Sequence, residues 1–275
     1  MDNYLELIIP ADEATQELLV AGLSELGFDG FEQSETQLKA YVSETIFDKS
    51  EFDILLNKYN LTYSESVIKK QNWNKVWESN FEPVLIDGFV GIRADFHPAF
   101  TDVDHELIIT PKMSFGTGHH ATTHMVIQLM RSIDFNGKSV FDFGTGTGVL
   151  AILAEKLGAA TVLATDNDDW CIENATENIS VNTCKNTRVE KAEILVLDQQ
   201  FDIILANINR NIILANLETL KSGIATGGYL LLSGLLKADE DDIFAATREL
   251  GLEPLASLER NGWIGLLFCE KKQDN

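Results

Sequence analysis

Val140-Phe141-Asp142-Phe143-Gly144-Thr145-Gly146-Thr147-Gly148 is an apolar run that breaks into alternating glycines and passes directly into the helical repeat at 149–157. Such a stretch reads as a strand turning sharply into a helix. Glycine tolerates left-handed backbone angles and, lacking a side chain, lets a ligand lie against the helix N-terminus, where unpaired amides point outward. The alternation continues on both sides. Upstream, 119–131 has helical periodicity. Around the quoted run, strands are expected at 139–143, 161–165, 187–190, 201–206 and 229–232, with helices at 169–179, 211–220 and 241–250 between them. Strands alternating with helices imply a parallel sheet. Two last strands, 253–258 and 263–270, flank Asn261-Gly262, a pair that favours a tight antiparallel hairpin at the edge of that sheet.

The glycine run admits three nucleotide-binding readings. A phosphate-binding P-loop ends in Gly-Lys-Ser/Thr, and no lysine is present. The dinucleotide fingerprint wants Gly or Ala where Val149 stands, which weakens that reading. The third pattern, GxGxG after an acidic residue in the strand, resembles the first motif of class I methyltransferases, which bind S-adenosylmethionine. That resemblance implies that Asp142 orients the loop and the methionine amino group, and that Gly144 and Gly146 let the cofactor lie against the main chain. A plain glycine-rich turn is the alternative. Asp166 ends the next strand, where a carboxylate can accept both ribose hydroxyls of a nucleoside; dehydrogenases place one there too. Asp168 and Asp169 read as helix N-caps, with Trp170 packing in the first turn.

Leu205-Ala206-Asn207-Ile208 closes the strong strand at 201–206, on the edge where open α/β sheets bind ligands. Asn207 can accept a hydrogen bond from a substrate amine, or simply cap the following helix. A second glycine segment, Phe115-Gly116-Thr117-Gly118-His119-His120, opens a helix. His120 and His124 lie one turn apart, yet Ala121 replaces the glutamate that a zinc-protease helix requires.

Ahead of this region the chain reads as two similar halves. Strands at 5–9, 28–32, 38–42 and 63–68 and helices at 12–26 and 48–58 give the order βαββαβ, a ferredoxin-like pattern that is silent about function. Residues 1–66 hold 14 acidic and 3 basic side chains, a net −11. The expected organisation is a ferredoxin-like substrate-recognition domain at 1–68, a linker helix at 69–82 with Trp73, Trp77 and Phe81 as an aromatic stripe, and a class I, Rossmann-like α/β methyltransferase domain at 83–275. Strands at 84–93 and 107–110 precede the main sheet.

The whole chain, 275 residues, carries 21 Lys and Arg against 43 Asp and Glu, a net −22, with 45% apolar residues. That balance excludes global disorder and disfavours nucleic acid, whose affinity is drawn from basic side chains. A basic protein partner suits it. Asp142, Glu155, Lys156 and several glycines interrupt the most apolar stretch, so no membrane span is expected. Cys171, Cys184 and Cys269 lack metal-ligand spacing and read as reduced thiols. A cytoplasmic monomer without a metal is the expectation.

Together these signals resemble the PrmA methyltransferases, which modify protein eleven of the large ribosomal subunit, at the stalk base. The resemblance rests on Pro111, Phe115 to Gly118, His120, Thr122, Thr123, Asp142, Gly144, Gly146, Gly148, Asp166, Ala206 to Ile208 and Ser233-Gly234-Leu235. It covers nearly the whole chain. It implies S-adenosylmethionine as cofactor, with Thr123, Gly144, Asp166 and Asn207 in contact with it, and methyl transfer to lysine ε-amino and N-terminal α-amino groups. Thr110, Lys112, Ala121 and Asn209 depart from the family's pattern, on the substrate-side loop rather than among the cofactor residues. Methylation of RNA or a small molecule, and a non-catalytic ribosome-assembly factor that binds the cofactor, are the rival readings.

Overall fold

Alternation of apolar residues builds the first sheet. Leu5, Leu7 and Ile9 on β1 (Tyr4–Pro10) and Leu38, Ala40 and Val42 on β3 (Gln37–Ser43) are buried, so each strand turns every second side chain to one face. The helices α1 (Glu13–Glu25) and α2 (Lys49–Lys58) supply Leu19, Leu23, Phe52 and Leu56 to the same core. Asp12 and Asp48 lie outside these helices as N-caps, accepting from Thr15 N at 2.9 Å and Ser50 N at 2.8 Å. With β2 (Gly30–Gln33) and β4 (Ser64–Ile68), the strands order as β2-β3-β1-β4, every neighbour antiparallel.

The computed structural model describes residues 4–28, 30–34, 36–68, 82–110, 112 and 114–270. Contacts divide the chain into two compact units, Met1–Ser79 and Asn80–Asn275. The linker helix expected at 69–82, with Trp73, Trp77 and Phe81, lies outside the described residues except for Glu82.

The second unit opens with a small sheet. The strand expected over 84–93 is two strands, β5 (Val84–Ile86) and β6 (Val90–Arg93), paired antiparallel around a turn in which Asp87 and Gly88 have φ of 50° and 66°. β7 (His105–Ile108) joins β6 in parallel. Next comes α3 (Ala121–Met130), buried at every residue but Gln128 and packed against the main sheet.

That sheet has seven strands: β8 (Ser139–Phe143), β9 (Thr161–Asp166), β10 (Thr187–Lys191), β11 (Phe201–Asn207), β12 (Ile224–Leu236), β13 (Leu252–Arg260) and β14 (Trp263–Glu270). Their order is β10-β9-β8-β11-β12-β14-β13, parallel as far as β12 and antiparallel beyond it. The connecting helices are α4 (Val149–Lys156), α5 (Asp169–Val181), α6 (Arg210–Ser222) and α7 (Glu240–Glu249). The chain runs outward from β8 to β10, then restarts at β11 on the other side of β8. Direction therefore reverses between β8 and β11, leaving a crevice at their carboxyl ends. Asn261 and Gly262 both have positive φ and close the β13–β14 hairpin, as their sequence requires.

β12 is much longer than the expected 229–232. Gly227-Gly228 does not end the strand: it loops out between the Phe201–Ile224 and Ile203–Tyr229 pairings, with Gly228 so close to Asp202 that an added Cβ would stand 2.7 Å from its carbonyl oxygen.

In the first unit Phe52 is fully buried among Phe28, Phe47 and Tyr63, with ring centroids 5.6, 5.4 and 4.9 Å away. Phe52→Ala is expected to destabilise this core by about 3–5 kcal/mol. Amide hydrogen exchange across β1–β4 checks it: protection should fall throughout those four strands.

Candidate active site

The glycine loop sits over the crevice because β8 is central: its neighbours β9 and β11 bury Val140, Phe141 and Asp142 and aim the following residues at the carboxyl edge. Gly144, Gly146 and Gly148 take φ of 76°, 56° and 82°. The amides of Gly144 and Thr145 both donate to Thr165 O at 2.9 Å, and Gly146 N donates to Asp166 Oδ2 at 2.9 Å. A Cβ on Gly144 would stand 2.2 Å from Ile208 Cγ2, and one on Gly146 2.3 Å from Phe115 O. These two glycines are therefore required by the protein's own packing, not only by a ligand's approach.

The second glycine segment docks on the first. Thr147 N donates to Phe115 O at 2.9 Å and Thr147 Oγ1 to Gly116 O at 2.7 Å. Behind them, Asn178 Nδ2 donates to Thr147 O at 2.8 Å while Asn178 Oδ1 accepts Thr110 N at 2.8 Å. Asn182, one turn on, pairs both ways with the backbone of Ile108. This asparagine row was not anticipated, although its spacing of four on a helix marks it as one face.

A cavity of about 620 Å³ opens at the crevice. Of the residues expected to hold a cofactor, Gly144, Gly146, Asp166 and Asn207 line it. Thr123 and Asp142 do not. Thr123 is fully buried and accepts from Asn207 Nδ2 at 3.3 Å, so it stands behind the wall as a support. Asp142 is 1% exposed beneath the loop; its Oδ2 accepts Thr145 Oγ1 at 2.6 Å and its Oδ1 has no partner. Burial, reinforced by the nearby Asp166 carboxylate, pushes the Asp142 carboxyl up to about 7.

Asp166 accepts Gly146 N and, at 3.1 Å, Asp168 N, which leaves lone pairs on both oxygens. Asp168 caps α5 through Trp170 N, whereas Asp169 pairs with Lys191. Trp170 does not pack in the first turn: it is 68% exposed, because the capped turn carries it outward.

Asn207 ends β11, and the cap of α6 is Asn209, whose Oδ1 accepts Ile212 N at 3.1 Å. The capping alternative for Asn207 is thus overturned. Its Oδ1 is buried and has no hydrogen-bond partner. His120 Nδ1 lies 2.8 Å from Thr122 Oγ1 and accepts Thr122 N; its ring adjoins Phe115 and Trp263. Phe115, His120 and Trp263 also line the cavity, and sequence reasoning gave them no such role. His124 is buried, which lowers its imidazole pKa. Among the described residues, no group of three or more His, Cys, Asp or Glu could hold a metal ion.

The lining includes two carboxylates, Asp166 and Glu193, and among the described residues neither lysine nor arginine. Such a wall favours a cationic nucleoside over a pyrophosphate. Asp166 can accept vicinal hydroxyls and Asn207 Oδ1 needs a donor, so these residues fit S-adenosylmethionine, whose sulfonium is positive.

A family model described as ribosomal protein L11 methyltransferase (PrmA) matches residues 3–271. The chain is 42% identical to a ribosomal protein L11 methyltransferase of Porphyromonas gingivalis over 93% of this chain and 91% of that one. It is 37% identical to a protein of the same description from Phocaeicola vulgatus, over 98% of this chain and 100% of the other. A crystal structure of a ribosomal protein L11 methylase from Lactobacillus delbrueckii superposes with a TM-score of 0.63 at 30% identity, covering 70% of this chain and all of that one.

Asp142 yields a pH prediction. With its pKa raised from 3.8 to about 7, it keeps a proton in the folded chain that the unfolded chain has released. Folding takes up that proton between these values, so its contribution to stability falls as pH rises through the interval. Asp142→Asn is expected to remove this contribution, so that stability falls less with rising pH than in the wild type, and denaturation midpoints of both proteins across that interval check it.

Proposed function

Because this chain belongs to the PrmA family of ribosomal protein L11 methyltransferases, we propose that it methylates lysine ε-amino and N-terminal α-amino groups of that protein. S-adenosylmethionine is its cofactor, and supplies an electrophilic methyl group on a sulfonium. The observation that carries the reading is the meeting of Gly144, Gly146, Asp166 and Asn207 in one cavity at the switch between β8 and β11.

Each residue has a definable task. The turns at Gly144 and Gly146 present backbone to the cofactor, and Asp166 accepts its ribose hydroxyls while holding the loop through Gly146 N. Asn207, anchored through Nδ2 on Thr123, offers Oδ1 to an N–H of the incoming amine and so aims the nitrogen lone pair. The amine must be neutral, although free lysine has a pKa of about 10.4 and an N-terminal amine about 7.7–8.0. Transfer starts from the neutral fraction of the amine, and fixed orientation replaces the entropy of encounter. His120 Nδ1 is taken up by Thr122, whose hydroxyl stands 2.8 Å away, so that nitrogen faces Thr122 rather than an incoming amine.

The acidic first unit suits a grip on a basic ribosomal protein, since complementary charge steers encounter and fixes register. We read it as a ferredoxin-like recognition domain, supported by its antiparallel β2-β3-β1-β4 sheet and by the −11 of residues 1–66. A ribosomal target at the stalk base implies action in the cytoplasm. No helix among the described residues is long and apolar enough to cross a membrane.

Labelled S-adenosylmethionine and purified L11 test the reading: transfer of label is expected, and binding of cofactor without transfer would favour an assembly factor. Asn207→Ala should lower transfer by about a hundredfold. Its stability should change little, because Asn209 supplies the cap. Deletion of residues 1–68 should leave cofactor binding in place and abolish methylation of L11. A deletion protein that still methylates at the full rate would place recognition in the second unit.

A further inference from the structure

Part of the cavity wall is aromatic, and the tasks assigned above leave it unused. Phe115 and His120 lie on the segment that leads into and caps α3, and Trp263 begins β14, so two segments distant in sequence bring these rings together. Phe115 and His120 have centroids 5.2 Å apart with planes inclined at 62°; His120 and Trp263 are 4.8 Å apart at 73°. Trp263 is placed by the Asn261-Gly262 turn and by its register opposite Leu236 on β12.

The inclination of the rings limits what they can receive. No adjacent pair here is parallel, so the rings form no sandwich for a flat base. A chain of mutually tilted rings suits a compact group, and the charge of the wall specifies its sign. Asp166 and Glu193 border the same cavity and, among the described residues, no lysine or arginine does. Aromatic faces carry negative potential and attract cations, most effectively those that shed water easily. An ammonium gains this property as methyl groups replace its hydrogens, because each replacement removes a donor that water would otherwise hold. Asn207, whose Oδ1 is unpartnered, lines the same cavity and would serve the opposite end of that series, where N–H groups remain.

We propose that Phe115, His120 and Trp263 form an alkylammonium subsite that holds the accepting amine, with affinity that rises as the nitrogen is methylated. The identity of the amine rests on the proposed function. The preference for alkylated cations rests on the rings and the charge of the wall alone.

The test is a titration of protein saturated with S-adenosylhomocysteine, using n-butylammonium and n-butyltrimethylammonium as probes. The wild-type protein should prefer the trimethyl probe by about three- to tenfold. Trp263→Leu should erase that preference while S-adenosylhomocysteine affinity is unchanged, and Trp263→Phe should retain part of it. Phe115, 52% exposed, gives a second variant, Phe115→Leu, that perturbs no core; it too should reduce the preference. Equal affinity for the two probes in the wild type, or a preference that survives both leucine variants, would overturn the subsite. Loss of the preference in Trp263→Leu, in a protein that does not methylate L11, would uphold the subsite and reject the substrate. Methylation of L11 without any preference would do the reverse.

Discussion

The site depends on the contact between two glycine-bearing segments, where Thr147 donates its amide to Phe115 O and its hydroxyl to Gly116 O. The segment at 115–120 lies between β7 and α3, before the main sheet begins, and nothing in a parallel sheet brings such a stretch to the carboxyl edge. These two hydrogen bonds do so. They set Phe115 and His120 beside Gly144 and Asp166, and they demand Gly146, since a Cβ there would meet Phe115 O at 2.3 Å. Asn178 holds the joint from behind by pairing with Thr147 O and Thr110 N, buried groups that would each cost about 1–3 kcal/mol if left unpaired.

The parts legible in the sequence are those whose information is local. Alternation gave the strands of the first unit, the glycine run gave the turn after β8, and Asn261-Gly262 gave the final hairpin, because each is a backbone requirement written in consecutive residues. Asp166 and Asn207 were legible because a strand end fixes which edge a residue occupies. What stayed hidden depends on distant partners. Thr123 and Asp142 lie near the right atoms but behind the wall, and only the three-dimensional packing separates a lining residue from its support. Trp263 meets His120 through the register of β14 on β12, which no local pattern encodes. The strand expected at 229–232 begins earlier, at Ile224, and passes through Gly227-Gly228 as a bulge.

Charge runs through the architecture at two depths. At the cavity surface, Asp166 and Glu193 stand with no lysine or arginine among the described lining residues, an arrangement that favours cations and repels phosphates. Beneath the loop, Asp142 has no counter-ion among the described residues, and its carboxyl is pushed up to about 7 by burial and by Asp166. A protonated Asp142 would spare the cavity a third negative charge. Its position then serves geometry: Oδ2 holds the Thr145 hydroxyl and with it the turn on which Asp166 and Gly146 depend.

The same economy separates two asparagines of similar sequence context. Asn207 and Asn209 flank Ile208, and either has the chemistry to cap α6. The strand decides between them. β11 continues in parallel register with Ser233 as far as Asn207, so the helix starts two residues later and Asn209 supplies its cap. Ile208 packs into the space left by Gly144 and Gly234, either of which would strike it if given a Cβ. That wedge fixes the turn between strand and helix and leaves Asn207 on the cavity wall with its amide nitrogen held by Thr123 and its oxygen unpaired. An unpaired buried acceptor costs folding free energy, about 1–3 kcal/mol. Asn207 retains this cost although the capping role is filled two residues away by Asn209.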